Sequence, residues 1–163
     1  MKFHNCHLAN GGMIVTGGTD NTTAFKSSLI VYLNESANTD GPELPEPRYG
    51  HCLAYDKDDD VFFVTGGFTS NSGSSIKNTA WNFNDKEKFT LNGTTTMKET
   101  RGYHGCGIFR SKKHNERPLL VTAGSLGETG SNTCEFYDYT KHGSKWQLCS
   151  KFISSFLVFI NQK

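Results

Sequence analysis

Met13-Ile14-Val15-Thr16-Gly17-Gly18 is followed by Phe62-Phe63-Val64-Thr65-Gly66-Gly67 and then by Leu119-Leu120-Val121-Thr122-Ala123-Gly124, three apolar runs that each carry Thr near the end and glycine last. Thr16 and Thr65 stand 49 residues apart, Thr65 and Thr122 57 apart. A period of this length marks a repeat architecture, in which each unit is one supersecondary element that buries its apolar face against its neighbours. The runs are short, rich in Val, Leu and Phe, and bounded by glycine, so each reads as a strand. Glycine at the strand end tolerates positive φ and lets a second backbone come close. The Gly pair therefore reads as architectural; a phosphate-cradling loop would need a helix after it, and 68–77 reads as a loop.

Two further markers keep the phase. Upstream of the second run is Arg48-Tyr49-Gly50-His51-Cys52, and 53 residues later Arg101-Gly102-Tyr103-His104-Gly105-Cys106; the first unit keeps His4-Asn5-Cys6. Downstream of each glycine, by 13 to 16 residues, come Tyr32-Leu33-Asn34, Phe83-Asn84-Asp85 and Tyr137-Asp138-Tyr139. Within the second unit four short extended segments can be read at Tyr49 to Tyr55, Val61 to Thr65, Asn78 to Asn84 and Lys88 to Leu91. Such a unit fits a four-stranded antiparallel blade, with the polar stretches Asp56 to Asp60 and Ser111 to Pro118 as the hairpin loops between first and second strands.

The order Arg-x-x-His, apolar run ending in glycine, Tyr-Asp and then Trp146 resembles the kelch repeat. The resemblance spans residues 4 to 149 and is fullest in the third unit. Gly17, Gly18, Gly66, Gly67, Gly124, His51, His104, Tyr32, Tyr137 and Trp146 carry it as structural repeat markers. Ala123 stands where the first Gly of the pair is expected, Phe89 stands near the place of the second unit's Trp, and the first unit has no Trp. The implied fold is all-β, a partial β-propeller of three four-stranded antiparallel kelch-like blades. The repeats are expected at 1–47, 48–100 and 101–149, followed by a divergent apolar tail at 150–163.

Composition narrows the classes of function. Seventeen basic and 16 acidic residues leave a net charge of +1, so no basic face is offered to nucleic acid. The most apolar stretch, Phe152 to Ile160, has nine residues and falls short of the roughly 20 that span a bilayer as a helix. No apolar segment follows Met1 in the manner of a secretory leader, which points to the cytoplasm. Five cysteines at wide spacings, with no Cys-x-x-Cys, disfavour a disulfide or zinc framework. Cys6, Cys52 and Cys106 recur beside the histidines and read as small core side chains. The sequons at Asn21, Asn34 and Asn92 do not decide the compartment.

Antiparallel alternation brings the loop after each second strand and the lead-in to each first strand to one end of the blades, where loops carry recognition. These segments are 19–27, 68–77 and 125–132, with lead-ins at 42–48 and 94–101. Arg48 and Arg101 are candidate carboxylate anchors there through their planar guanidinium groups; the alternative is a repeat-phased structural link. Asn71, Ser74 and Ser75 differ between units and are candidates for specificity. His51 and His104 recur at strand starts, as does His4, so they read as hydrogen-bonded structural groups rather than metal ligands. Trp81 and Trp146 read as core.

The resemblance implies a non-catalytic protein-interaction module with a protein or peptide partner, and no cofactor, metal, nucleic acid or membrane. Two alternatives stay open: a fragment of a kelch or galactose-oxidase-like propeller enzyme, and an incomplete product with no independent function. Propellers close with about four to eight blades. Three blades are thus expected to self-associate, two copies completing a ring through their open edges.

Overall fold

In the first apolar run Gly12, Ile14 and Thr16 are buried while Met13 and Val15 are half-buried, the period of two that a strand shows when one face meets a core. The computed structural model describes residues 6–9, 12–20, 22–32, 38–70, 75–84, 90–110, 112, 115–124 and 133–149. In it this run is the second strand of a four-stranded antiparallel sheet, sheet I, in which β1 (Cys6–Ala9), β2 (Gly12–Thr16), β3 (Ser28–Tyr32) and β4 (Thr39–Asp40) lie side by side in chain order. The pattern returns twice. Sheet II holds β5 (Cys52–Asp56), β6 (Val61–Thr65), β7 (Thr79–Asn84) and β8 (Thr90–Thr96); sheet III holds β9 (Gly105–Arg110), β10 (Pro118–Ala123), β11 (Cys134–Tyr137) and β12 (Gln147–Leu148). The fold is all-β. The apolar tail at 150–163, Asn71, Ser74 and Phe89 lie outside the described residues.

Three of the four strands expected in the second unit fall within a few residues of their places. The fourth begins at Thr90 and runs to Thr96, and the pairing of β7 with β8 slips between Asn82 and Phe83, so one extra residue is accommodated there.

The sheets stack face to face through apolar side chains. Ile14, Ile30 and Leu44 of the first unit meet Leu53, Phe62, Val64, Trp81 and Phe83 of sheet II. On the opposite face of sheet II, Ala54, Phe63, Ala80 and Met97 meet Leu120 and Trp146, with Ile108 and Tyr137 at the margin. Sheet II is covered on both faces, which is why β6 is buried almost continuously and reads Val-Phe-Phe-Val rather than alternating. Trp146 packs on Tyr137 with ring centroids 5.4 Å apart. The first strands of neighbouring sheets lie against each other, β1 by β5 and β5 by β9.

The hairpin stretch from Asp56 to Asp60 connects β5 to β6 as expected, but Asp56 itself is buried. Arg110 donates to it at 3.0 Å from sheet III, and the Tyr139 hydroxyl also donates to it. Burial and then this carboxylate hold the Tyr139 phenol well above the usual tyrosine range.

Register corrects the phase of the third unit. Gly17 N–H donates to Ser27 O, Gly66 N–H to Thr79 O and Gly124 N–H to Thr133 O, so Gly124 holds the place of the first glycine of the pair. All three have positive φ, at 59°, 60° and 86°. Ala123 is therefore not a substitute for that glycine. It stands where Thr16 and Thr65 stand, paired with Gly105 as Thr65 is paired with Cys52. The same register puts Val31 with Phe83 and Tyr137, so Tyr32 is one residue out of phase with the other two aromatic markers.

The expectation against disulfides is overturned. Cys52 of β5 and Cys106 of β9 are bonded across sheets II and III with Cα atoms 5.8 Å apart, and Cys134 is bonded to Cys149, stapling the edge strand β12 to β11. Spacing along the chain disguised both bonds, because the partners meet only when strands pair or sheets stack. Nor are Cys52 and Cys106 equivalent: Cys106 occupies the register place of Leu53.

Candidate functional site

The loops after the second strands and the lead-ins to the first strands are stitched together at one end of the sheets. Phe25 N–H donates to Gly18 O and Arg48 N–H to Phe25 O; in the next unit Lys77 N–H donates to Gly67 O and Arg101 N–H to Lys77 O. The lead-in carbonyl then seats on the glycine pair of the preceding sheet: Arg48 O accepts from Gly18 N–H at 2.8 Å, and Arg101 O from Gly67 N–H at 2.6 Å. An added Cβ would lie 2.2 Å from Arg48 O at Gly17 and 2.3 Å from Arg101 O at Gly66, which is why no side chain fits at either place.

Arg48 and Arg101 are brought to this end, but neither is available as an anchor for a ligand, for both side chains are 0% exposed. Arg48 Nη1 donates to Gly66 O at 2.6 Å and Arg101 Nη1 to Gly124 O at 2.7 Å; the Nη2 atoms donate to Thr79 Oγ1 at 2.9 Å and Thr133 Oγ1 at 2.8 Å. The carboxylates they hold belong to this chain. Glu46 pairs with Arg48, and Glu99 pairs with Arg101 at 2.9 Å. The repeated pattern is thus Glu-x-Arg-x-x-His, and the glutamate two residues before each arginine was the readable signal for a structural role. Burial lowers the Arg48 pKa to about 10 against the opposing pull of Glu46, so the group stays charged at neutral pH.

The two guanidinium groups differ in what faces them from the third strand. Arg48 Cζ lies 4.3 Å from the centroid of the Trp81 ring. In the equivalent place sheet III carries Glu135, also 0% exposed, which accepts from Arg101 Nε at 3.3 Å and Nη2 at 3.2 Å and from the backbone of Lys98 and Glu99 at 2.6 and 3.1 Å.

His51 and His104 are the second part of the inter-sheet clasp. Each reaches back to the preceding sheet, His51 Nε2 to Thr16 Oγ1 and His104 Nε2 to Thr65 Oγ1, both at 2.8 Å. Burial, reinforced by nearby Arg101, lowers the His104 pKa from 6.5 to about 3, so the folded protein holds it neutral. The unfolded chain binds a proton there below pH 6.5, so the stability it contributes is complete above that pH and is lost as pH falls towards 3. The expected slope is about 1.4 kcal/mol per pH unit. Urea titrations between pH 7 and 4 should show this slope, and His104→Gln should flatten it; an unchanged slope in the variant would assign the acid sensitivity elsewhere.

Ser75 is buried at 7% exposure, and its hydroxyl donates to Ser70 O within the loop, which removes it as a specificity group. Asp20, in the loop after β2, is fully exposed; hydrogen bonds from the Thr22 side chain and from the Thr23 and Thr22 backbone lower its pKa to about 2.

An aromatic cluster went unread in the sequence. Tyr49 stacks on Phe68 at 5.3 Å between centroids, Phe68 meets Tyr103 at 5.3 Å, and the Tyr49 hydroxyl donates to Ser70 O at 3.0 Å. Tyr49 and Phe68 are buried, and burial with neighbouring Tyr103 raises the Tyr49 pKa. Tyr103 is 58% exposed. Its φ is 51°, at the place where the preceding unit has Gly50 at 59°. That left-handed conformation costs a tyrosine about 1 kcal/mol or more. The signal was the inversion of Tyr-Gly to Gly-Tyr inside Arg-x-x-His.

At the other end of sheet III, Arg117, Phe136, Asp138, Lys141 and Lys145 are among the residues that line an open depression of 510 Å³, with Arg117 3.7 Å from Asp138. Among the described residues no three His, Cys, Asp or Glu side chains are grouped to hold a metal ion, and no helix is long and apolar enough to cross a membrane. Compared with known proteins, the chain matches no family model and none of the curated sequences.

Proposed function

We propose that this chain is a non-catalytic protein-interaction module, a partial β-propeller of three kelch-like blades that receives a protein or peptide partner on its loop end. The observation that carries the reading is the repeated clasp, in which the lead-in Arg carbonyl seats on the preceding Gly pair and the His on the preceding Thr. Identical contacts between successive sheets are what a stacked repeat requires. They leave the loops, which differ in sequence from unit to unit, as the variable part of a constant frame.

Among the described residues nothing is seated on Gly124 as the lead-in carbonyls are on Gly17 and Gly66. An added Cβ at Gly124 would meet nothing within 4 Å, whereas Gly17 and Gly66 each face a lead-in carbonyl. Phe109, 49% exposed, pairs with Leu119 on the face of sheet III turned away from sheet II. Gly124 and the exposed Phe109 support self-association at this side of sheet III, although Leu119 beside Phe109 is already buried at 4% exposure and Ala123 offers no hydroxyl to an incoming histidine. The two disulfides support an oxidising compartment rather than the cytoplasm expected from the sequence.

The test is a pull-down with the full chain and with a variant in which the loops 19–27 and 68–77 are exchanged, run beside sedimentation equilibrium. Partners lost on exchange and a mass of two chains are expected. Unchanged partners sink the loop-end reading, and a single-chain mass sinks the self-association.

A further inference from the structure

We propose that Asn92 is an N-glycosylation site, which places an oligosaccharide on the outer edge of sheet II; the assignment rests on the oxidising compartment that the two disulfides support. Asn92-Gly93-Thr94 has the acceptor form Asn-x-Thr with a residue other than proline between. Of the three sequons in the chain, Asn21 and Asn34 lie outside the described residues, whereas Asn92 and Thr94 are both described and both exposed. Two disulfides and an acceptor asparagine require the same surroundings: bonded cysteines persist in the oxidising secretory lumen, and oligosaccharides are transferred to asparagine there.

Local structure explains the glycine of this triplet and leaves the other two residues to the surface. Asn82 pairs with Gly93 and Phe83 with Leu91, so Asn92 is the extra residue of the bulge, with no residue opposite it on β7. A Cβ at Gly93 would lie 2.7 Å from Asn82 Oδ1, which suits a position without a side chain. Asparagine is depleted in strands, and an exposed one at a bulge packs into no core. Thr94 returns to the ladder opposite Trp81 and is itself exposed.

The outer edge of sheet II is the one that benefits from cover. Sheets I and III end in β4 and β12, two residues each, while sheet II ends in β8, seven residues long and reading Thr-Leu-Asn-Gly-Thr-Thr-Thr with neither charge nor proline. A long uncharged outer strand offers its N–H and C=O groups to any further strand, and natural sheets blunt such edges with bulges, charge, proline or a cover. β8 has the bulge, and the acceptor asparagine stands at it. It is also at the opposite edge of its sheet from β5, against which β1 and β9 lie, so an oligosaccharide there leaves those contacts between sheets untouched. In the transfer the Asn92 amide nitrogen bonds to the anomeric carbon of a lipid-pyrophosphate-linked oligosaccharide. The bond from that carbon to the phosphate oxygen breaks, the lipid pyrophosphate leaves with the electron pair, and one amide proton is released.

The experiment expresses the full chain behind a secretory leader in a eukaryotic host, as the parent, Asn92→Gln, Thr94→Ala and Thr94→Ser, and again in a host whose oxidising compartment lacks the transferase. Secreted protein is treated with peptide N-glycosidase in heavy-oxygen water and mapped by mass spectrometry, and its free thiols are titrated. Expected is the heavy-oxygen label at position 92 in the parent and Thr94→Ser, with complete loss of it in Asn92→Gln and Thr94→Ala. One free thiol per chain is expected, since four of the five cysteines are bonded. By light scattering, secreted Asn92→Gln should aggregate faster than the secreted parent, while the two proteins from the second host aggregate alike and share one urea midpoint. An unlabelled position 92 in a chain with its disulfides formed overturns the site and leaves the compartment standing; five free thiols overturn the compartment reading on which the site rests. Equal aggregation of the two secreted proteins overturns the cover of the edge, and a lower midpoint for Asn92→Gln from the second host gives the asparagine a structural role and overturns the argument from the bulge.

Discussion

Arg101→Met should cost about 3 to 5 kcal/mol in unfolding free energy, the largest loss expected from any single substitution at the clasp. The reason is what stays behind. Glu135 is fully buried, and without the guanidinium its carboxylate keeps only the backbone donors of Lys98 and Glu99. Gly124 O and Thr133 O lose a donor as well. Adding Glu135→Gln to the variant should restore part of the loss, because a neutral amide carries a much smaller desolvation penalty than an unpaired carboxylate. Arg101→Lys should fail to rescue, since one ammonium cannot reach Gly124 O, Thr133, Glu99 and Glu135 together as the planar fork does. Arg48→Met, by contrast, uncovers the neutral Trp81 ring and should cost less. Urea denaturation of the four variants reads all of this, and equal losses for Arg48→Met and Arg101→Met would refute the buried-charge explanation.

Breaking the bond between Cys52 and Cys106 should be nearly as costly. The two are 54 residues apart in sequence, and releasing a closed loop of that length from the unfolded chain is worth about 4 kcal/mol in the chain-entropy account. The bond also joins two sheets that otherwise hold together by side-chain packing, the clasp and the bonds of Arg110 and Tyr139 to Asp56. Cys52→Ala with Cys106→Ala should therefore lower the urea midpoint more than Cys134→Ala with Cys149→Ala, whose loop spans 15 residues and is worth about 3 kcal/mol. If the smaller loop proves the more stabilising, native-state geometry rather than loop length sets the ranking.

Strand order within each sheet and the clustering of the loops at one end are legible in the sequence, whereas the equivalence of residues between units follows their partners rather than their types. Aligning Thr122 with Thr65 matched two threonines and misplaced Ala123 by one position; the acceptor of Arg101, Gly124 O, reveals the true equivalence. Of the two readings of Arg48 and Arg101, the repeat-phased structural link is the one the contacts support, and Glu46 and Glu99, close by in the chain, already take the place of a ligand carboxylate. Asp56, read as part of a polar hairpin, is drawn inside by Arg110 and Tyr139, which come from a different unit. Ser75 differs between units, yet it is buried and its hydroxyl closes its own loop.

What sequence alone determined is the repeated antiparallel meander: a period of two along each run, glycine at each strand end and polar turns between, all written in residues a few positions apart. Only the tertiary structure decided which cysteines bond, that the two arginines are spent inside, and that Tyr103 stands exposed on a left-handed backbone beside Phe68. Strand and turn preferences act through neighbouring dihedral angles and so are legible locally. Partners about fifty residues apart are chosen by how whole sheets stack, and no short stretch of chain carries that information.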